Sequence, residues 1–260
     1  MNIIVCVKQV PDTNDIKIDP VKGTLIREGV PSIINPEDNN AIEAALQIKG
    51  EGKVTVLSMG PPQAEEALRE AIAMGVDEAI LVSDFKFAGS DTWATANVLA
   101  SAVKKLDYDL IICGRQAIDG DTAQVGPQLA ENLGLPQITY VQKIEVGEGV
   151  LKVQRALEDG YEIIEGKLPV LITVVKEINN PRYPTLQGID KAYETDIIKW
   201  TADDIEADPA KIGLKGSPTH VKKSFVPPGK GQGIKLDGPT KDIAKQLIGI
   251  LKEKEIIQEF

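Results

Sequence analysis

The residues best suited to chemistry lie in one run: Gly114-Arg115-Gln116-Ala117-Ile118-Asp119-Gly120-Asp121-Thr122-Ala123-Gln124-Val125-Gly126. An apolar strand, Asp109-Leu110-Ile111-Ile112-Cys113, delivers the chain to it, and a helix ending near Asn132-Leu133-Gly134 carries the chain away. Open α/β sheets hold nucleotides at such a strand, glycine-bearing turn and helix start. The first N–H groups of a helix lack internal partners, and the helix dipole favours an anion there. Gly114, Gly120 and Gly126 would let backbone approach a phosphate, because no Cβ intervenes. Pro127 implies that the helix begins near Gly126 or has an irregular first turn. Either case leaves the N–H groups of Ala123, Gln124 and Val125 free to face a ligand. Asp119 and Asp121 fit loop caps or ribose contacts better than an acid–base pair.

Little else in the chain could react. The single histidine, His220, has no Ser, Cys or carboxylate pattern near it. Cys6 and Cys113 sit in apolar strand-like runs and read as packing residues, with neither disulfide nor metal spacing. No Walker A sequence occurs, and Gly-Lys-Gly-Gln-Gly at 229–233 does not follow a strand. These absences describe a protein that binds a group carrying the chemistry itself.

The elements that must position this loop alternate in type. Residues 2–10 form an apolar run that reads as a buried parallel strand. Residues 15–26 alternate around Asp19-Pro20-Val21-Lys22-Gly23, as in an exposed hairpin. Asn35-Pro36-Glu37 predicts a helix start with Asn35 as its cap. Strands follow at 53–59, 78–82 and 109–113. Helices lie between them, one closed by Gly75 and one capped by Asp91. This order predicts an α/β fold, a doubly wound parallel, Rossmann-like sheet of the adenine-nucleotide-binding kind. Residues 137–146 and 150–157 add a hairpin around Gly147-Glu148-Gly149, with further strands at 161–164 and 170–175. Residues 179–188 read as a polar, proline-bearing loop, residues 200–240 as an extended arm, and 241–257 as an amphipathic helix. The expected division is a nucleotide-binding domain over 1–200. Residues 201–260 would then be an arm and helix that pack on a partner subunit.

The chain has 260 residues, enough for a proper core, and a net charge of −10. That charge argues against nucleic acid and anionic membranes as partners. No apolar run is long enough to span a bilayer. The start, Met1-Asn2-Ile3-Ile4-Val5, lacks a basic region and a cleavage site, so a cytoplasmic location is expected.

With these residues in hand, the chain resembles the β subunit of electron-transfer flavoproteins. Four stretches carry the likeness: Val5-Cys6-Val7-Lys8-Gln9-Val10; Asn35-Pro36; Gly114-Arg115-Gln116-Ala117-Ile118-Asp119 with Gln124 and Gly126; and Asn180-Pro181-Arg182-Tyr183-Pro184-Thr185-Leu186. The resemblance implies a heterodimer whose α subunit carries a redox FAD. The β subunit then holds a second nucleotide, either AMP or a second FAD. Cys6, Asn35 and Met59 would line the adenosine pocket. Gly114, Asp121, Thr122, Ala123, Gln124, Val125 and Gly126 would hold the phosphates. Arg182, Tyr183, Leu186 and Ile189 would dock a flavin-dependent dehydrogenase of the acyl-CoA or 2-hydroxy-acid type, with Leu186 as apolar anchor.

Housekeeping carriers, which hold AMP, usually read Asn-Pro-Phe-Cys-Glu where this chain reads Asn35-Pro36-Glu37-Asp38-Asn39-Asn40. Their phosphate loop also has more side-chain bulk than Gly120-Asp121-Thr122-Ala123-Gln124-Val125. These departures look like the electron-bifurcating group, whose β subunit holds FAD beside an NADH (NAD) site and serves ferredoxin. A universal-stress-type ATP-binding domain would need Gly-x-x-Gly, a spacer and Gly-Ser or Gly-Thr after a strand. An adenylate-transferring synthase would need a Ser-Gly-Gly loop near the first strand. Neither pattern is present.

Overall fold

The computed structural model describes residues 1–12, 31–222, 231 and 233–257. In chain order its elements begin with β1 (Ile3–Cys6), β2 (Gln9–Pro11), β3 (Ser32–Ile34), α1 (Pro36–Ile48), β4 (Val54–Met59), α2 (Glu65–Met74) and β5 (Glu78–Val82). They continue with α3 (Thr92–Val103), β6 (Leu110–Gly114), α4 (Val125–Leu133), β7 (Gln137–Val146), β8 (Val150–Leu157), β9 (Gly160–Lys167) and β10 (Val170–Val174). After these come α5 (Leu186–Glu194), β11 (Ile198–Trp200), α6 (Gly213–Gly216) and α7 (Thr240–Glu253). The hairpin expected at 15–26 and most of the glycine-rich 229–233 stretch lie outside the described residues.

One nine-stranded sheet runs β11-β5-β4-β1-β6-β10-β7-β8-β9. It is parallel from β11 to β7 and antiparallel from β7 to β9. Strands buried on both faces must be apolar at every position, and β1 and β6 are. Alternate side chains sort to two layers. Ile3 and Val5 meet Ala41, Ile42 and Ala45 of α1 and Leu68 and Ile72 of α2. Ile4 meets Leu99 and Val103 of α3 and Leu129 of α4 on the other face. Gly75 and Gly134 end α2 and α4 in the left-handed conformation, and the Asp91 carboxylate accepts the Ala94 N–H to cap α3.

Several expectations change. The run over residues 2–10 is two strands. Lys8 turns out of the sheet because its N–H donates to Asp38, and β2 then pairs with β3. Helix α5 takes the last three residues of the expected 179–188 loop. The Thr185 hydroxyl accepts the Gly188 N–H as its cap, and Leu186 and Ile189 point outward, so no buried apolar stripe announces the helix. Residues 198–217 are no arm. Strand β11 extends the sheet, and Ala202, Ile205 and Ile212 are buried against the α3 face. Pro127 is the third residue of α4, where the missing N–H would have had no intrahelical partner. The described residues after 222 form a unit of their own, and helix α7 buries none of its residues there.

Candidate functional site

Strands β4, β1 and β6 end side by side, with Cys6 level with Leu57 on one neighbour and Cys113 on the other. The chain order reverses about β1, so their carboxyl edge is the switch point of the sheet. Met59 is half-buried at the end of β4, and it and Cys6 face the α3 layer together with Val125. Cys6 and Cys113 are buried free cysteines. The Cys6 hydrogen bond, then burial, hold the Cys113 thiol well above its ordinary value. Both are packing groups, not nucleophiles.

The loop after β6 has unusual backbone. Asp121 and Ala123 have φ of 48° and 52°, the left-handed region that residues with a Cβ rarely adopt. Gln124 follows at φ −112°, ψ −27°. A left-handed residue followed by a right-handed one turns successive N–H groups to one side, the form of an anion nest. Among the described residues no acceptor takes the N–H groups of Thr122, Ala123, Gln124, Val125 or Gly126. Asp119 is ion-paired with Lys8 at 2.6 Å, and Asp121 accepts from Gln116 at 2.8 Å. Each carboxylate thus ties down the loop. The Thr92 hydroxyl at the start of α3 donates to the Gln124 side-chain oxygen at 3.0 Å.

The three glycines divide by role. A Cβ on Gly114 would strike the Asp38 carboxylate, and one on Gly126 would lie 2.6 Å from Thr173 Cγ2. Those two positions are filled by the protein itself. A Cβ on Gly120 meets nothing within 4 Å, so only Gly120 faces open space.

Helix α1 holds the loop from beneath. Asn35 is fully buried and makes no cap bond to its own helix. Its Nδ2 donates to Asp38 Oδ1 at 3.0 Å and to the Gln116 carbonyl at 2.9 Å, and its Oδ1 accepts the Ile118 N–H at 3.0 Å. Asn35 is therefore a loop anchor whose side chain is used up. Glu37 accepts the Gln116 N–H at 3.1 Å and pairs with Arg115 at 3.1 Å. Burial raises the Glu37 carboxyl, and Arg115 offsets part of the rise. Asp38 accepts the Lys8 N–H at 2.8 Å, and burial pushes its carboxyl up to about 7 against the bonds from Asn35, Lys8 and Gly114. In the sequence Glu37 marks a helix start, and Glu37 and Asp38 together mark a subtype. Two acids flanked by Ile33-Ile34 and Ala41-Ile42 were the available signal of buried acids.

A carboxyl raised on folding holds its proton better in the folded state. Its contribution is present below the unfolded value near 4 and is lost as pH rises through about 7. The wild-type chain is expected to lose stability between about pH 4 and 7 relative to Asp38→Asn, by up to on the order of 4 kcal/mol, and to level off above that. Thermal midpoints of both proteins across that range measure it; a constant difference would refute it.

Four buried side-chain polar atoms among the described residues have no partner: Asn39 Oδ1, Ser58 Oγ, Arg115 Nε and Gln128 Oε1. All four stand near this carboxyl edge, in the first turns of α1 and α4 and at the ends of β4 and β6. Buried polar atoms are normally paired. The free N–H run of residues 122–126 and the open side of Gly120 suit a phosphate-bearing nucleotide. Ser58 escaped the sequence reading because a serine in a strand carries no periodic signal.

The other expected group lies beyond β10. Tyr183 and Leu186 are 91% and 86% exposed, with Ile189 exposed on the same helix. Arg182 is held by Glu43 of α1.

Fold and site define a doubly wound α/β protein with a loop cluster at its switch point, the architecture on which nucleotides bind. The chain belongs to the electron transfer flavoprotein family, whose domain model matches residues 22–205. It is 58% identical to "Electron transfer flavoprotein subunit beta" of Clostridium acetobutylicum, over 99% of this chain and 100% of that one. It is 55% identical to "Caffeyl-CoA reductase-Etf complex subunit CarD" of Acetobacterium woodii, with the same coverage. It is 44% identical to "Protein FixA" of Bradyrhizobium diazoefficiens, over 95% of this chain and 90% of that one. No helix among the described residues is long and apolar enough to cross a membrane.

Proposed function

We propose that this chain is the β subunit of a heterodimeric electron-transfer flavoprotein, and that its carboxyl-edge loop holds a second FAD reduced by NADH. Bound there, FAD supplies the two-electron chemistry with NADH and the division of its electrons between ferredoxin and the α-subunit flavin, which serves a dehydrogenase. The observation that carries this reading is the unpaired N–H run of residues 122–126 beside the open face of Gly120. Five donors and that much space suit a diphosphate better than one phosphate. The departures from the AMP-bearing pattern at Glu37-Asp38-Asn39-Asn40 and along the loop support the same choice. The relative named for a caffeyl-CoA reductase complex supports an enzyme of the acyl-CoA type as the electron acceptor.

The chain's own residues bind and orient. Thr122, Ala123, Gln124, Val125 and Gly126 offer N–H groups to phosphate, with Gly114 and Asp121 shaping the loop. Cys6 and Met59 flank the adenosine, and Asn35 keeps the loop in place. Residues 182–189 dock the dehydrogenase through Leu186.

Nucleotide analysis and anaerobic stopped-flow of the purified αβ pair test the reading. Two FAD per heterodimer and reduction by NADH are expected. A pair that holds one FAD and AMP and ignores NADH would leave a one-way carrier in its place. In the same preparation Gly120→Val is expected to lower β-subunit nucleotide content at least tenfold with an unchanged thermal midpoint, because a Cβ there meets no protein atom within 4 Å while the side chain narrows the open face. Full occupancy in that variant would remove the loop from the site.

A further inference from the structure

Helix α1 reaches a second segment through its later turns. Asn40 Nδ2 donates to the Asn179 carbonyl at 2.9 Å and to Asn179 Oδ1 at 3.0 Å, and Asn179 Nδ2 returns a bond to the Asn40 carbonyl at 3.0 Å. One turn on, Glu43 takes three bonds from Arg182: Nε at 2.7 Å, a terminal guanidinium nitrogen at 3.1 Å and the backbone N–H at 3.2 Å. The Glu43 carboxylate is buried, and Gln47 donates to it at 2.8 Å. Burial pushes its carboxyl up, but the Arg182 and Gln47 bonds outweigh that and leave it below the ordinary value. A planar guanidinium held through two nitrogens of one edge by a buried carboxylate has little freedom to swing, and the added backbone bond fixes the main chain at Arg182. Pro181 and Pro184 stiffen the residues on either side. Tyr183 and Leu186 stand exposed immediately after this clamp.

We propose that Glu43 is a positioning residue for partner docking: by clamping Arg182 it holds residues 179–185 in place, so that Tyr183, Leu186 and Ile189 form a surface already shaped for a flavin-dependent dehydrogenase. The proposal rests on the docking role given to residues 182–189. A surface ordered before contact avoids the ordering cost on binding, so Glu43 acts on affinity and leaves the transfer step alone. Without the carboxylate the arginine is released, and the segment must be ordered by the partner itself.

The test uses the assembled αβ pair in wild-type, Glu43→Gln, Arg182→Gln and doubly substituted forms. Hydrogen exchange reports residues 179–189. Steady-state transfer to an acyl-CoA dehydrogenase that the wild-type pair reduces with saturation gives KM and kcat. Glu43→Gln is expected to speed exchange at the Arg182 N–H, which donates to Glu43, and at the Gly188 and Ile189 N–H groups held by Thr185, and to raise the KM for the dehydrogenase about tenfold, with kcat unchanged. The double variant is expected to be no worse than Arg182→Gln, because both changes break one clamp. Unchanged exchange, faster exchange with unchanged KM, or additive effects in the double variant would each overturn the proposal. Leu186→Asp separates the underlying reading: if it leaves KM unchanged, the dehydrogenase docks elsewhere. If it raises KM while Glu43→Gln does not, docking stands and the positioning role falls.

Discussion

Asn35→Ala is expected to strip the β-subunit nucleotide, weakening its binding about 100-fold or more, and to lower stability by about 2–4 kcal/mol. The loss has three parts. The Ile118 N–H loses its acceptor, the Gln116 carbonyl loses its donor, and Asp38 loses the amide that faces its carboxylate. A group left unpaired away from water costs on the order of 1–3 kcal/mol, but the Gln116 and Ile118 groups are only part-buried and regain water, which keeps the total near the stated range. Residues 114–116 would keep their bonds to Glu37 and Asp38 but the Gln116 carbonyl and the Ile118 N–H would be released, and the left-handed turns at Asp121 and Ala123 would lose part of the frame that enforces them. Asn35→Asp keeps the acceptor for Ile118 but sets a second carboxylate against Asp38, so it should be nearly as damaging. Nucleotide released on denaturing the purified αβ pair, with its thermal midpoint, measures both effects. A fully loaded Asn35→Ala protein with the wild-type midpoint would refute the anchor role.

The second large effect concerns assembly. Ending the chain after Lys222 is expected to abolish heterodimer formation while leaving the sheet folded. Helix α7 carries Ile243, Leu247, Ile248 and Ile250, and Leu247 and Ile248 remain close to half exposed. An amphipathic helix that buries nothing within its own unit has an apolar face available to a partner. The position of the cut matters. A cut near Thr201 would remove Ala202, Ile205 and Ile212 from the α3 layer and confuse unfolding with lost assembly. Co-expression with the α subunit and sizing chromatography give the readout, with circular dichroism as the check on folding. A shortened chain that still co-elutes with the α subunit would show that the interface lies within residues 1–222.

Much of this protein was legible in its sequence because much of it is set by neighbours in the chain. The burial of β1 and β6 on both faces, the glycines that close α2 and α4, and the Asp91 cap all depend on residues within about four positions of one another. So does the helix that follows the loop after β6, and with it the place of the switch point. The four stretches that mark the family are likewise local strings. What only the tertiary structure decided is how distant side chains are used. Asn35 before Pro36 satisfies the pattern of a helix cap, yet its bonds run to Gln116 and Ile118, 81 and 83 residues away. Gly114 and Gly126 read as room for a ligand, but Asp38 and Thr173 occupy that room. Glu43 looks like any acid on a helix until Arg182, 139 residues later, folds against it. Helix α5 and strand β11 carry too little buried apolar surface of their own to be periodic, and each is held by a partner supplied from elsewhere in the fold. Periodicity and capping are short-range properties, so they survive in a linear string. The partner of a buried polar group is chosen by the packing of whole elements, and it exists only once the sheet has brought those elements together.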